Sequence, residues 1–265
     1  MKITIFTSNQ FRHINLINSL SKISTECYAI IEGKTVFPGK VKDFFSNSKL
    51  MHNYFDCVTK AEKKFFQGNK FINSLVKSKF IKQGDLNFLK KNEIKESLNS
   101  DLFIVFGSSY IKGWLANYLI KKKAINIHMG LSPYYRGSSC NFWAIYDKRP
   151  ELVGATIHYL SKGLDSGAIL YHCLPDLNCK NVYEYTMSSV LCAHKSLFQM
   201  IKSKKIFKVK SIQQKKELEV SYTVNRDFRD SILRNFNKHK LYLLPKKKII
   251  KEKLNNLNLK DPFKF

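Results

Sequence analysis

The feature that most constrains the fold is a recurring alternation. Short, nearly continuous apolar runs are each followed by a polar turn and a segment with helical spacing. "KITIFTS" ends in a Ser8-Asn9 turn, and "FRHINLINSLSKI" then places Phe11, Ile14, Ile17 and Leu20 three residues apart. "ECYAIIEG" reads as a second strand. "DLFIVFGSSYI", bounded by Gly107, is a third, followed by a short helix, "WLANYLIKK", and a further strand, "AINIH". Runs without polar alternation suit strands covered on both faces, and strands separated by helices pair in parallel through crossovers. The expected fold is α/β: a Rossmann-like, doubly wound, mostly parallel sheet with ligands at the carboxyl ends of its strands.

The segment from Gly33 to Ser100 is rich in lysine and phenylalanine and reads as mostly helical, with breaks near Pro38-Gly39, Gly68 and Gly84. After Pro133 a helix is expected over "CNFWAIYDK". Two strands follow, "LVGATIHYL" and "AILYHCL", joined by the turn "SKGLDSG", and then an amphipathic helix over about Val182 to Ser203. From Ile206 the pattern changes to short strand-like and charged pieces, including "PKKKIIKEK". The expected organisation is a catalytic domain over residues 1–205 and a small C-terminal extension over residues 206–265.

At 265 residues with 44% hydrophobic content, the chain can bury a substantial core. No run approaches the ~18 apolar residues of a membrane span, and no early segment has the form of a secretion signal, so a cytoplasmic location is expected. The six cysteines are scattered without a C-x-x-C pair, which fits free thiols and implies no metal site. The formal net charge of +26 admits two readings. It can serve an anionic partner, whether nucleic acid or a phosphorylated molecule, or reflect a lysine-rich compositional bias.

The polar groups that stand out are Asn126, His128 and Asp165. Asn126 and His128 lie two positions apart at the end of an apolar strand, so their side chains share a face. Asp165 sits in a Gly163-Leu164-Asp165-Ser166-Gly167 turn whose glycines let the backbone approach a bound group. An amide donor, a titratable imidazole and an orienting carboxylate together suit acyl transfer to an amine. Taken singly, each is an ordinary core or turn residue.

The surroundings add a resemblance. "NIHMGLSPYYRG", with "NFWAIYDKRPELVGATIHYLSKGLDSGAIL" after it, resembles the folate-dependent formyltransferase superfamily. That superfamily includes methionyl-tRNA formyltransferase, glycinamide ribonucleotide transformylase and the sugar N-formyltransferases. Its pattern matches Asn126, His128, Pro133 and Gly137, then Gly154, Thr156 and His158, then Asp165 and Gly167. Met129-Gly130 stand where relatives often carry Pro-Ser, and Ser132 stands where they carry a second Leu. The resemblance implies 10-formyltetrahydrofolate as donor and a primary amine as acceptor. Asn126 would donate to the formyl oxygen, His128 would accept the amine proton, and Asp165 would hold His128. The pterin would lie along Ser109, Tyr110 and Ile111 and against Gly163 and Leu164, with His158 in support.

Three acceptors compete. The turn "TSNQ" lacks the glycine-rich phosphate cradle of glycinamide ribonucleotide enzymes, although Ser8 and Asn9 remain able to meet an anion. Charge favours tRNA, but about 60 residues follow Ser203, against a C-terminal barrel of on the order of 100 in the tRNA enzymes. The resemblance therefore favours a nucleotide-linked amino sugar in surface-glycan (lipopolysaccharide O-antigen) synthesis. This is supported by Trp143-Ala144-Ile145 and by a short extension of the kind that often forms homodimers. Tyr134 and Tyr135 would then stack on the base or sugar and Arg136 would meet the diphosphate; otherwise these side chains pack the loop and Arg136 pairs with a carboxylate. A non-catalytic nucleotide- or RNA-binding module is the reading of a different class.

Overall fold

The computed structural model describes residues 1–33, 48–66 and 71–265. Among them the elements run in the order β1 (Lys2–Ser8), α1 (Phe11–Ser21), β2 (Glu26–Gly33), α2 (Lys49–Phe66), β3 (Val76–Lys82), α3 (Lys95–Leu98), β4 (Leu102–Phe106), α4 (Gly113–Lys121), β5 (Ile125–His128), β6 (Tyr135–Gly137), α5 (Cys140–Tyr146), β7 (Ala155–Tyr159), β8 (Ile169–Cys173), α6 (Val182–Lys202), β9 (Ser221–Thr223), α7 (Asp230–Lys238) and α8 (Lys247–Asn255). Seven strands form one sheet in the order β3-β2-β1-β4-β5-β7-β8. Pairing is parallel from β3 through β5 and antiparallel for β7 and β8. The fold is thus the expected mostly parallel α/β sheet, with its order reversing beside β1.

Neighbouring residues of the central strands divide between two apolar layers, as the period of two demands. Ile5, Ile31 and Ile104 face Leu16, Ile17 and Leu20 of α1 and Leu197 and Ile201 of α6. Phe6, Ile30, Phe103 and Val105 face Leu115 and Leu119 of α4. The helix expected from Val182 forms because Asn181 accepts a hydrogen bond from the Glu184 N–H, satisfying an N-terminal donor. No helix among the described residues is long and apolar enough to cross a membrane.

Two expectations need correction. The segment from Gly33 to Ser100 holds the helix α2, but Val76–Lys82 is an edge strand parallel to β2. Its lysines point to solvent at the sheet margin, so "VKSKFIK" lacks the apolar run that marked the central strands. The break at Gly84 is present as a left-handed residue opening a short 3-10 turn; those at Pro38-Gly39 and Gly68 lie outside the described residues. The lysine-rich piece "PKKKIIKEK" is helical rather than strand-like, forming most of α8 with Ile250 buried and Lys246, Lys247, Lys248, Lys251 and Lys253 in solvent.

Residues beyond Ile206 pack onto the loop that follows β5. Phe228, Leu233, Phe236 and Ile250 share an apolar cluster with Leu131, Tyr134, Tyr135, Phe142 and Trp143. The strand β9 pairs with β6. Gly137 makes that pairing possible: it has φ +95°, and a Cβ there would lie 2.0 Å from the Thr223 carbonyl oxygen.

Candidate active site

Four polar side chains converge at the carboxyl end of β5. Asn126 and His128 alternate with the buried Ile125 and Ile127, and antiparallel pairing sets Asn126 directly opposite His158 of β7. Asn126 Nδ2 lies 3.0 Å from His158 Nε2. Because His158 Nδ1 meets the Tyr159 carbonyl at 2.8 Å, the proton sits on Nδ1 and Nε2 accepts from the amide. Asp165 arrives on the β7–β8 loop in the left-handed region, at φ +48°. Its turn folds tightly onto the end of β7, and a Cβ at Gly167 would lie 1.7 Å from the Tyr159 carbonyl oxygen.

Asp165 collects three donors. Oδ1 accepts from Asn126 Nδ2 at 3.2 Å, while Oδ2 faces His128 Nδ1 at 3.2 Å and the Gly137 N–H at 3.3 Å. The other His128 nitrogen, Nε2, lies 3.1 Å from the Tyr135 carbonyl oxygen. An imidazole that meets a carboxylate and a carbonyl is protonated on both nitrogens. The electrostatics agree: burial opposes the charge on His128, but the Asp165 carboxylate outweighs it and holds the imidazole pKa well above its ordinary value. For Asp165 burial likewise opposes ionisation, and His128 overcomes it, holding the carboxyl far below its ordinary range. The sequence-expected triad is therefore brought together, with His158 as a fourth member.

The two segments expected to flank a pterin are joined to each other by a hydrogen bond. Tyr110 is about half exposed, and its hydroxyl donates to the Lys162 carbonyl at 2.5 Å, joining the end of β4 to the loop carrying Gly163, Leu164 and Asp165. The Ser109 N–H is fixed on the buried Glu32 carboxylate at 2.5 Å, and Ile111 is packed beneath.

The expected acceptor residues are placed differently. Tyr134 and Tyr135 are buried, and the Tyr135 hydroxyl donates to Asp147 at 2.7 Å, so both rings pack the loop rather than offering a face for stacking. They share one apolar cluster with Phe228, Leu233, Phe236 and Ile250 of the C-terminal segment. Arg136 pairs with Glu219 at 2.7 Å and donates to the Leu164 carbonyl at 3.1 Å, so its guanidinium already has a carboxylate partner. Ser8 is fully buried with its hydroxyl on the Glu32 carbonyl at 3.1 Å, which removes it from an anion site; Asn9 stays half-buried at the turn. Sequence reasoning missed Gln214 and Glu219. Both lie in a polar stretch with no periodicity, and only the path of the chain brings them to the site.

Comparison with known proteins gives the chain a family. The family described as "Formyl transferase" matches residues 88–224, just over half of the chain. A methionyl-tRNA formyltransferase of Prochlorococcus marinus is 31% identical over 138 residues, covering 49% of this chain and 42% of the relative. The chain thus spans less than half the length of the curated relatives it matches. In structure it is similar to a 4-N formyltransferase from Francisella tularensis, at TM-score 0.50 and 18% identity over 86% of this chain and 77% of that one. It is also similar to the N-formyltransferase from Helicobacter canadensis in complex with folinic acid and dTDP-3-aminofucose, at TM-score 0.50 and 15% identity over 89% and 79% of the two chains. With a family model matching more than half of it, on a mostly parallel α/β sheet, the chain belongs to the formyl transferase family.

Proposed function

We propose that the protein transfers a formyl group from 10-formyltetrahydrofolate to the primary amine of a nucleotide-linked amino sugar, with residues 1–205 as the catalytic domain and 206–265 as an extension that completes it. The observation that carries the formyl-transfer reading is the buried cluster in which an amide, an imidazole and a carboxylate meet within 3.2 Å at a strand end. A reduced folate would be held between Tyr110 and the turn carrying Leu164, two segments joined by the bond from the Tyr110 hydroxyl to the Lys162 carbonyl, with Ile111 buried beside Tyr110 in sequence. The folate supplies the formyl carbon, which leaves its nitrogen as the amine bonds to it.

In this reading Asn126 exchanges one of its amide bonds, to His158 or Asp165, for the formyl oxygen as that oxygen gains charge. His128 begins with its Nε2 proton on the Tyr135 carbonyl. It becomes a base by releasing that proton to solvent as pH rises through its raised pKa; the neutral Nε2 then takes the amine proton and can pass it to the departing nitrogen. Asp165 keeps the imidazole oriented and stabilises its charged form. His158 fixes the Asn126 amide through the Nε2 lone pair.

One observation supports the sugar acceptor. The Helicobacter canadensis neighbour holds both a reduced folate and a nucleotide-linked amino sugar on the same fold. A tRNA acceptor is the second reading, favoured by the methionyl-tRNA formyltransferase relatives and the net charge of +26. The test is a formyl-transfer assay offering TDP-, GDP- and UDP-linked amino sugars beside charged initiator tRNA and glycinamide ribonucleotide, read by mass spectrometry. A formyl adduct on a nucleotide sugar, lost in His128→Ala, is expected. An adduct on tRNA alone would replace the sugar reading, and no adduct on any acceptor would reject formyl transfer to these classes.

A further inference from the structure

One side chain from the C-terminal segment holds the turn that carries Asp165. Gln214 Nε2 lies 2.8 Å from the Asp165 carbonyl oxygen and 2.8 Å from the Gly167 carbonyl oxygen. Both partners are pure acceptors, so the amide nitrogen faces them and each of its hydrogens has one carbonyl. Gln214 Oε1 is buried and has no partner among the described residues, so the side chain is held by its donors alone. Its backbone is anchored two residues earlier, where Ile212 and Ile169 exchange N–H···O bonds of 2.8 and 2.9 Å at the sheet margin.

Asp165 needs such a hold. It is a non-glycine residue at φ +48°, a conformation that persists only where the surroundings enforce it. Its side chain must at the same time aim Oδ1 at Asn126 and Oδ2 at His128. A rotation of the peptide after Asp165 would swing that carboxylate off both. We infer that Gln214 is a positioning residue for formyl transfer: by bridging the carbonyls on either side of Ser166 it locks Asp165 in register with His128 and Asn126. The inference rests on the proposed roles of those three residues and extends them to the C-terminal segment.

Gln214→Leu removes both donors, and Gln214→Met does so with an unbranched side chain of matching length. The exposed neighbour Gln213 serves as control in Gln213→Leu. Two readouts separate positioning from bulk stability in the full-length protein. One is kcat and both KM values for formyl transfer. The other is the titration midpoint of the His128 imidazole followed by NMR without substrate. The titratable groups facing His128 are Asp165, Cys140 and, at 6.4 Å between rings, His158. Loosening Asp165 weakens the first of the two groups that raise the His128 pKa, the other being Cys140, so the midpoint should fall. The rate should drop by about 10- to 100-fold, as expected for a misplacement of about 1 Å, with the KM values nearly unchanged. Folded variants that keep the wild-type midpoint would overturn the inference, and loss of the native fold in both would also overturn it by assigning Gln214 to global stability. If the wild type transfers no formyl group, the reaction reading fails. The midpoint in the variants then decides the inference alone, supporting it by falling and overturning it by staying.

Discussion

Replacing Asp165 with Asn probes the electrostatics of the site without changing its shape. The carboxylate receives three donors, from Asn126 on one oxygen and from His128 and Gly137 on the other. An amide offers one acceptor, so whichever way it is turned, an N–H faces an N–H on one side. At 3.2 Å and an effective dielectric of about 20, the direct attraction to a charged imidazole is about 5 kcal/mol. At 1.36 kcal/mol per decade this sets a ceiling of about 5,000-fold on the rate. Burial of both groups offsets part of it, so kcat should fall by roughly 100- to 1000-fold. The pH dependence carries a sign of its own. His128 must be neutral to accept the amine proton, so wild-type kcat/KM rises with pH through an imidazole pKa that Asp165 holds above 6.5. In Asp165→Asn the charged form loses its partner and burial remains, so the rising limb moves to lower pH while its plateau drops. Stability follows the same linkage. The raised His128 pKa contributes below about 6.5 and is lost as pH rises through the folded value. The lowered Asp165 pKa contributes above about 4 and is lost as pH falls through its folded value. The Tm difference between wild type and variant should therefore be largest between about pH 4 and 6.5 and shrink in alkali. A variant with wild-type kcat and an unmoved limb would remove Asp165 from the chemistry.

Asn126→Ala should lower kcat by about 100- to 1000-fold with the folate KM little changed, measured at saturating acceptor; a retained kcat would place the oxyanion donor elsewhere. Arg136→Ala should raise the acceptor KM and leave the folate KM unchanged. Glu219→Gln, which frees the guanidinium from its 2.7 Å partner, should lower the acceptor KM, and steady-state kinetics showing neither change would take Arg136 out of acceptor binding. Leu197→Ala, at a fully buried position of α6 facing the sheet, should cost about 2–5 kcal/mol in a urea unfolding experiment, and a loss below 1 kcal/mol would contradict the packing described for that layer.

The central sheet was readable in the sequence because its strands are buried on both faces, and such strands advertise themselves as unbroken apolar runs. The edge strand β3 was not. Half of its side chains meet solvent, so Lys77, Lys79 and Lys82 break the run and the segment looks like its helical neighbours. Asn126 and His128 were readable for the same reason in reverse, as polar residues closing an apolar strand, and Asp165 because two glycines frame it. Arg136 was noticed, but its partner Glu219 lies 83 positions away and nothing local points to it.

The residues that escaped notice share one physical trait: their partners are distant in sequence and are mostly backbone groups. Gln214 acts on the carbonyls of residues 165 and 167, which every residue type carries, so no pattern of side chains records the contact. Tyr135 stands out for its ring, yet it is its carbonyl that meets His128, seven positions away. Aromatic residues in a loop invite a binding role, yet such rings are buried when another part of the chain brings apolar residues to their cluster, here Phe228 and Phe236. The function of the C-terminal segment therefore lies in where its chain passes. It packs apolar residues against the loop after β5 and places the Gln214 amide on the carbonyls of the turn that carries Asp165, which is where the proposed positioning role would act.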